Sequence, residues 1–205
     1  MPEPIRFDIS YSFICPWVYQ ASLFFQKVNE VHPGKIKVGM KMFSLDQVNN
    51  KQGPGWYIWD QPDDYPSKER AAFRAVEAAR KQGEEAYDRM HFALLKGRHE
   101  TRKDFSVPSD IEEIADTAGL DVARWKRDLA DHSYLEKLSK EHTVAVKKGV
   151  FGTPTYAFEN GTNFFLRMKT HENAEDAARA YDLVYESFVL QRNIDEIKRP
   201  KPPKD

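Results

Sequence analysis

The most informative segment of the chain is Cys15-Pro16-Trp17-Val18, which follows alternating apolar and polar residues between Ile5 and Ser10. Cys15 is the only cysteine among the 205 residues. Val18 stands where a C-x-x-C pair would have its second cysteine, so Cys15 has no neighbouring partner for a disulfide. Any chemistry of this thiol is therefore that of a single cysteine.

A helix is predicted from Pro16 to Val31, because apolar residues recur there at steps of three and four. Pro16 suits the first turn, where its missing N–H is not needed. Cys15 then lies at the helix N-terminus, where unpaired N–H groups and the positive end of the dipole favour a thiolate. The alternative is that Cys15 is a small buried apolar residue, the commoner role of a lone cysteine.

A second motif lies far away in the sequence, where Gly152-Thr153-Pro154-Thr155 leads into a short β-rich run. Together with the Cys-Pro-Trp motif, it resembles the DsbA-like branch of the thioredoxin superfamily. The resemblance covers the chain from about Ile5 to about Leu190. FrnE-like oxidoreductases are the most similar in pattern; kappa-class glutathione transferases and 2-hydroxychromene-2-carboxylate isomerases share the fold but carry serine at the nucleophile position.

The resemblance implies an α/β thioredoxin fold with a large all-helical insertion between an N-terminal βαβ unit and a C-terminal ββα unit. The thioredoxin-like part is expected over 1–43 and 145–192, the aromatic loop and helical insertion over 44–144, and a polar, disordered tail over 193–205. It further implies a cis peptide bond before Pro154, which leaves the backbone of Thr153 facing the active site. The site residues carried over are Cys15 as nucleophile, with Ser12, Pro16, Trp17, Thr153 and Pro154 binding the substrate or thiol.

Two departures from the family pattern affect the expected chemistry. Ser12 stands where FrnE-like sequences often have Asp, so an acid or base near the thiol is predicted to be missing or replaced by a hydroxyl. The segment from Phe164 to Lys169 lacks the acidic residue that would hold the amino group of glutathione. Arg167 and Lys169 there suit a ligand with a carboxylate, or are surface charges. Mycothiol is therefore as plausible a small thiol as glutathione.

The remaining pattern predicts the other elements of the chain. A hairpin is expected through Asn160-Gly161, a strong turn signal, and a capping box is expected at Ser109 and Glu112. The aromatic loop from Trp56 to Tyr65 either folds over a site or packs on the insertion, and the charged run from Lys96 to Lys103 is predicted to be a solvated loop. The other predicted strands are 6–10, 36–42, 155–159 and 164–168, and the other helices are 67–82, 84–96, 109–118, 121–130, 133–148 and 173–190.

Composition excludes several classes of function. The net charge of −1 gives no electrostatic case for nucleic acid, and no apolar run approaches the roughly 20 residues that span a bilayer. A single cysteine and a start without a signal pattern predict a cytoplasmic protein. The six histidines form no metal-binding motif, so neither a metal nor a bound cofactor is expected.

Three functions remain open, and they differ in what Cys15 does. In a monothiol oxidoreductase, Cys15 forms a mixed disulfide that a low-molecular-weight thiol, glutathione or mycothiol, resolves. In a transferase or isomerase of the kappa or chromene-carboxylate type, Cys15 replaces serine and activates a bound thiol. In a binding module, the fold keeps a peptide groove without catalysis. The expected partners are a small thiol or disulfide and protein thiols, and the oligomeric state is left open.

Overall fold

A computed structural model describes residues 3–191, 194, 196 and 197. The predicted tail therefore lies almost entirely outside the described residues. Within these residues the sheet has four strands, in the order β2-β1-β3-β4. Strand β1 runs parallel to β2, β3 runs antiparallel to β1, and β4 runs antiparallel to β3. The strands are β1 (Ile5–Tyr11), β2 (Ile36–Met42), β3 (Thr155–Phe158) and β4 (Asn163–Phe165).

Eight α-helices accompany the sheet within the described residues. Helix α1 connects β1 to β2, six helices lie between β2 and β3, and the last helix follows β4, so the chain has the α/β thioredoxin fold with helices inserted in the middle. A 3-10 turn covers Ile58–Asp60, and π-helical residues Tyr185–Leu190 continue the last helix. The helices are α1 (Pro16–Val31), α2 (Leu45–Val48), α3 (Arg70–Arg80), α4 (Glu84–His99), α5 (Pro108–Thr117), α6 (Val122–Asp128), α7 (Tyr134–Lys147) and α8 (Ala174–Val184).

Three local predictions are wrong. The capping box at Ser109 and Glu112 does not form, because α5 begins one residue earlier, at Pro108, whose fixed φ suits the first helical position. The charged run from Lys96 is not a loop throughout, because α4 continues to His99. The second strand of the hairpin ends at Phe165, three residues earlier than predicted.

One hydrophobic core joins the sheet to the inserted helices. Tyr11 and Phe13, at the end of β1, pack with Phe73 of α3 and His91 of α4, and ring centroids lie 4.7 to 5.7 Å apart. The aromatic loop packs as well: Ile58 is fully buried. No helix in the described part of the chain is long and apolar enough to cross a membrane.

Candidate active site around Cys15

Cys15 is the residue that caps the N-terminus of α1. Its backbone is extended, its N–H donates to the Ser12 carbonyl at 3.1 Å, and its own carbonyl accepts from the N–H of Val18 at 3.1 Å. Pro16 occupies the first turn, as predicted, and that turn holds no acidic residue. No side chain of that turn therefore neutralises the positive end of the helix dipole.

The thiol lies against the second motif. Cys15 Sγ donates to the carbonyl oxygen of Thr153 at 3.3 Å, across 138 positions of sequence. The Thr153–Pro154 peptide bond is cis. Pairing of Ser10 with Thr155 between β1 and β3 brings the two motifs together. The Thr153 hydroxyl is buried and has no hydrogen-bond partner among the described residues.

A carboxylate does lie beside the active-site loop, contrary to the expectation from Ser12. Glu69, the residue before α3, accepts a short hydrogen bond from the Ser12 hydroxyl. It also accepts from the Ser44 hydroxyl at 2.6 Å and from the Asp46 N–H at 2.9 Å. The acidic group that the sequence around Cys15 lacks is thus supplied by the insertion, more than fifty residues away in the chain.

Glu69 is fully buried and pairs with no cation in the described part of the molecule. Burial raises the pKa of its carboxyl to about 7, although hydrogen bonds from Ser12, Ser44 and the Asp46 backbone lower it. The side chain therefore changes protonation near neutral pH. Perturbed buried acids of this kind are typical of functional sites.

The C-terminal end of α4 also contacts the active-site loop. His99 Nε2 lies 2.9 Å from the carbonyl oxygen of Phe13, and its ring stacks on Tyr19 with centroids 5.6 Å apart. Burial lowers the pKa of His99, which opposes the effect of its hydrogen bond to Phe13. The Tyr19 hydroxyl donates to Glu100. Sequence analysis does not predict this contact, because His99 lies in the run interpreted as a solvated loop.

Trp17 forms one side of the site and lies partly buried. The guanidinium carbon of Arg167 lies 5.9 Å from the centre of the Trp17 ring and 4.9 Å from that of Phe165. Phe165 in turn packs on Phe151, with centroids 5.0 Å apart. The residues predicted for the site thus occupy one end of the sheet and the adjoining start of α1. They are Cys15, Ser12, Pro16, Trp17, Thr153 and Pro154. Among the described residues, no three His, Cys, Asp or Glu side chains form a metal-binding group.

This fold, with a cysteine at the start of α1 beside a cis-proline, defines a thioredoxin-like protein. More particularly, the chain belongs to the family of DSBA-like thioredoxin domains, whose model matches residues 6–177.

Solved structures of similar fold include oxidoreductases of low sequence identity. The probable DsbA oxidoreductase SCO1869 from Streptomyces coelicolor has a TM-score of 0.60 and 18% identity, with 98% of this chain and 94% of that chain covered. The cytosolic disulfide reductase DsbM from Pseudomonas aeruginosa, solved with GSH, has a TM-score of 0.59 and 16% identity, with coverage of 87% and 98%. These likenesses show the shared fold.

Two curated relatives match parts of longer proteins. The ClpXP adapter protein SpxH of Bacillus subtilis (strain 168) is 28% identical over 151 residues, which are 73% of this chain and 46% of the adapter. The Na(+)/H(+) antiporter NhaA 3 of Salinispora tropica is 34% identical over 108 residues, 51% of this chain and 15% of the antiporter. The chain therefore spans less than half the length of the curated relatives that it matches.

Proposed function

We propose that this chain is a monothiol thiol–disulfide oxidoreductase in which Cys15 is the nucleophile and a low-molecular-weight thiol completes the cycle. One observation carries the proposal: the Cys15 thiol lies at the start of α1, in contact with the Thr153 carbonyl. Val18, the residue one turn further on, is buried and offers no second thiol. Resolution of a mixed disulfide must then come from another molecule.

The exchange has two balanced steps. The Cys15 thiolate attacks one sulfur of a disulfide R–S–S–R′, so the Cys15–S–S–R bond forms and R′–S⁻ leaves with the electron pair and takes up a proton. A small thiol G–SH, as its thiolate, then attacks the R sulfur, so G–S–S–R forms and the Cys15 thiolate is regenerated. The net reaction consumes the disulfide and one G–SH and yields R′–SH and G–S–S–R.

Small thiols or disulfides and thiols of other proteins are the proposed substrates. An extended substrate would pair with the backbone of Thr153 as an added strand does, which suits a peptide as well as a small molecule. Glutathione and mycothiol are the proposed resolving thiols, and a cytoplasmic location is proposed. A structural neighbour described as a cytosolic disulfide reductase with GSH favours glutathione and that location.

The test is to treat the native protein with bis(2-hydroxyethyl) disulfide and to measure its intact mass before and after adding glutathione or mycothiol. We expect one adduct on the wild-type chain, loss of that adduct when the small thiol is added, and no adduct on Cys15→Ser. The chain unfolded in urea is the control that the thiol is intact. If only the unfolded chain forms the adduct, Cys15 is an inert buried residue and the proposal is wrong.

The match to SpxH favours a second candidate, a thioredoxin-like binding module that acts as an adapter. In that case the surface around Cys15 recognises a partner without exchange. Cys15→Ser separates the two functions, because it removes exchange and leaves an adapter surface almost unchanged in shape. A Cys15→Ser chain that retains a cellular role would support the adapter.

A further inference from the structure

An unpaired arginine lies over two aromatic rings beside the thiol. The Arg167 guanidinium faces Trp17, two residues after Cys15, and Phe165, the last residue of β4. Phe165 also lies close to Gly152, the neighbour of Thr153. Arg167 therefore bridges the two sides of the site, the start of α1 and the hairpin.

The charge of Arg167 has no carboxylate partner in the part of the chain that the structure describes. The side chain is exposed, and neither it nor Lys169 makes an ion pair or hydrogen bond with any described residue. Some other exposed arginines pair with a carboxylate, as Arg179 does with Asp176. Stacking on aromatic rings holds a guanidinium in place while leaving its N–H groups free to donate.

Two further features of the site suit an anionic, polar ligand. The first turn of α1, next to Cys15, holds no acidic residue, so its positive dipole end adds to the field of the arginine. Thr153 is only 3% exposed, and its buried hydroxyl has no hydrogen-bond partner among the described residues, although the Thr153 carbonyl accepts from the thiol. Buried polar groups without a hydrogen-bond partner are exceptions that call for an explanation. A ligand that bonds to the group when bound is one such explanation.

We propose that Arg167, held over Trp17 and Phe165, is a subsite for the carboxylate of the thiol or disulfide that exchanges with Cys15. This inference rests on the proposed exchange and names its substrate class: thiols and disulfides that carry a carboxylate, such as a small peptide thiol with a free C-terminus. Phe151, which is 68% exposed and packs on Phe165, extends the apolar surface beside that subsite.

The test compares two small disulfides that differ in charge. The probes are 5,5′-dithiobis(2-nitrobenzoate), with a carboxylate on each ring, and neutral 4,4′-dithiodipyridine, and the measurement is the second-order rate constant of Cys15 with each. In Arg167→Met, we expect the rate with the anionic probe to fall about three- to tenfold, the effect of one unit charge near a partly solvated site. The rate with the neutral probe should change by less than about twofold, because this probe carries no charge for Arg167 to attract.

The matched control is Arg127→Met, which removes an exposed arginine of α6, a helix that packs on α3 and α5. Arg167→Lys keeps the charge without the planar stack and should give an intermediate rate. An unchanged ratio of the two rates in Arg167→Met, or an equal fall in Arg127→Met, overturns the subsite alone. Failure of the wild-type thiol to react with either probe overturns the exchange at Cys15, and the subsite with it.

Discussion

Replacement of Glu69 by glutamine should change how stability depends on pH. In the folded protein, burial raises the pKa of Glu69 from 4.5 to about 7. Between these values the folded chain holds a proton that the unfolded chain has lost, so stability falls as the pH rises through this window. At about 1.4 kcal/mol for each pH unit, ionisation of Glu69 costs the wild type about 3 kcal/mol in all.

Glu69→Gln has no such titration, because the amide stays neutral. We expect the free energy of unfolding of the variant, relative to that of the wild type, to increase by about 2 to 3 kcal/mol between about pH 5 and about pH 8. This difference does not depend on the constant loss of a hydrogen bond from Ser12 or Ser44, which affects both pH values alike.

The assay is urea unfolding followed by tryptophan fluorescence, with wild type and variant at both pH values. Glu85→Gln, on the exposed side of α4, controls for the loss of one carboxylate from the surface. The same difference between Glu69→Gln and wild type at both pH values would refute the reasoning, since it would mean that Glu69 ionises as an ordinary carboxyl.

Two other variants test the site and the core. Val18→Cys places a second sulfur one turn after Cys15, so we expect an internal disulfide under mild oxidation, seen as loss of both thiols from alkylation; two thiols that stay free would show that the geometry at the start of α1 is wrong. Phe73→Ala should lower the free energy of unfolding by about 3 to 5 kcal/mol, because the ring is fully buried against Tyr11 and Phe13. Phe73→Leu should lower it less. Equal and small losses in both variants would show that the core between the sheet and the inserted helices is loosely packed.

The sequence predicted the sheet and the first helix well, because those elements have local signals. Alternation marks β1, three- and four-residue spacing marks α1, and Asn160-Gly161 marks the hairpin. Helix starts in the insertion were harder: α5 uses Pro108 at its first position and no side-chain cap, while a plausible capping box stood one residue further on. Two start signals side by side compete, and short-range rules do not rank them.

The site was predictable where two motifs identify it and unpredictable where the insertion completes it. Cys15 and Thr153 meet as the resemblance implies. Glu69 lies within a predicted helical segment, yet nothing in its surroundings indicated full burial, because a glutamate at a helix start is usually a solvated residue favoured by the dipole. The position of a long-range partner depends on how α3 docks on β1, and that packing leaves no mark in the local sequence.

Hydrogen bonds between the insertion and the ends of β1 and β2 make the sheet depend on the inserted helices. Ser12 depends on Glu69 of the insertion, and the Met42 N–H depends on Glu141 at 2.7 Å. Excision of the inserted helices would leave these groups at the sheet end without partners, at about 1 to 3 kcal/mol for each one that stayed buried. The inserted helices therefore cannot be removed alone, because a shortened chain would lose the carboxylates that accept from Ser12 and from the Met42 N–H. Evolution or engineering could exchange these helices only together with the residues that they bind.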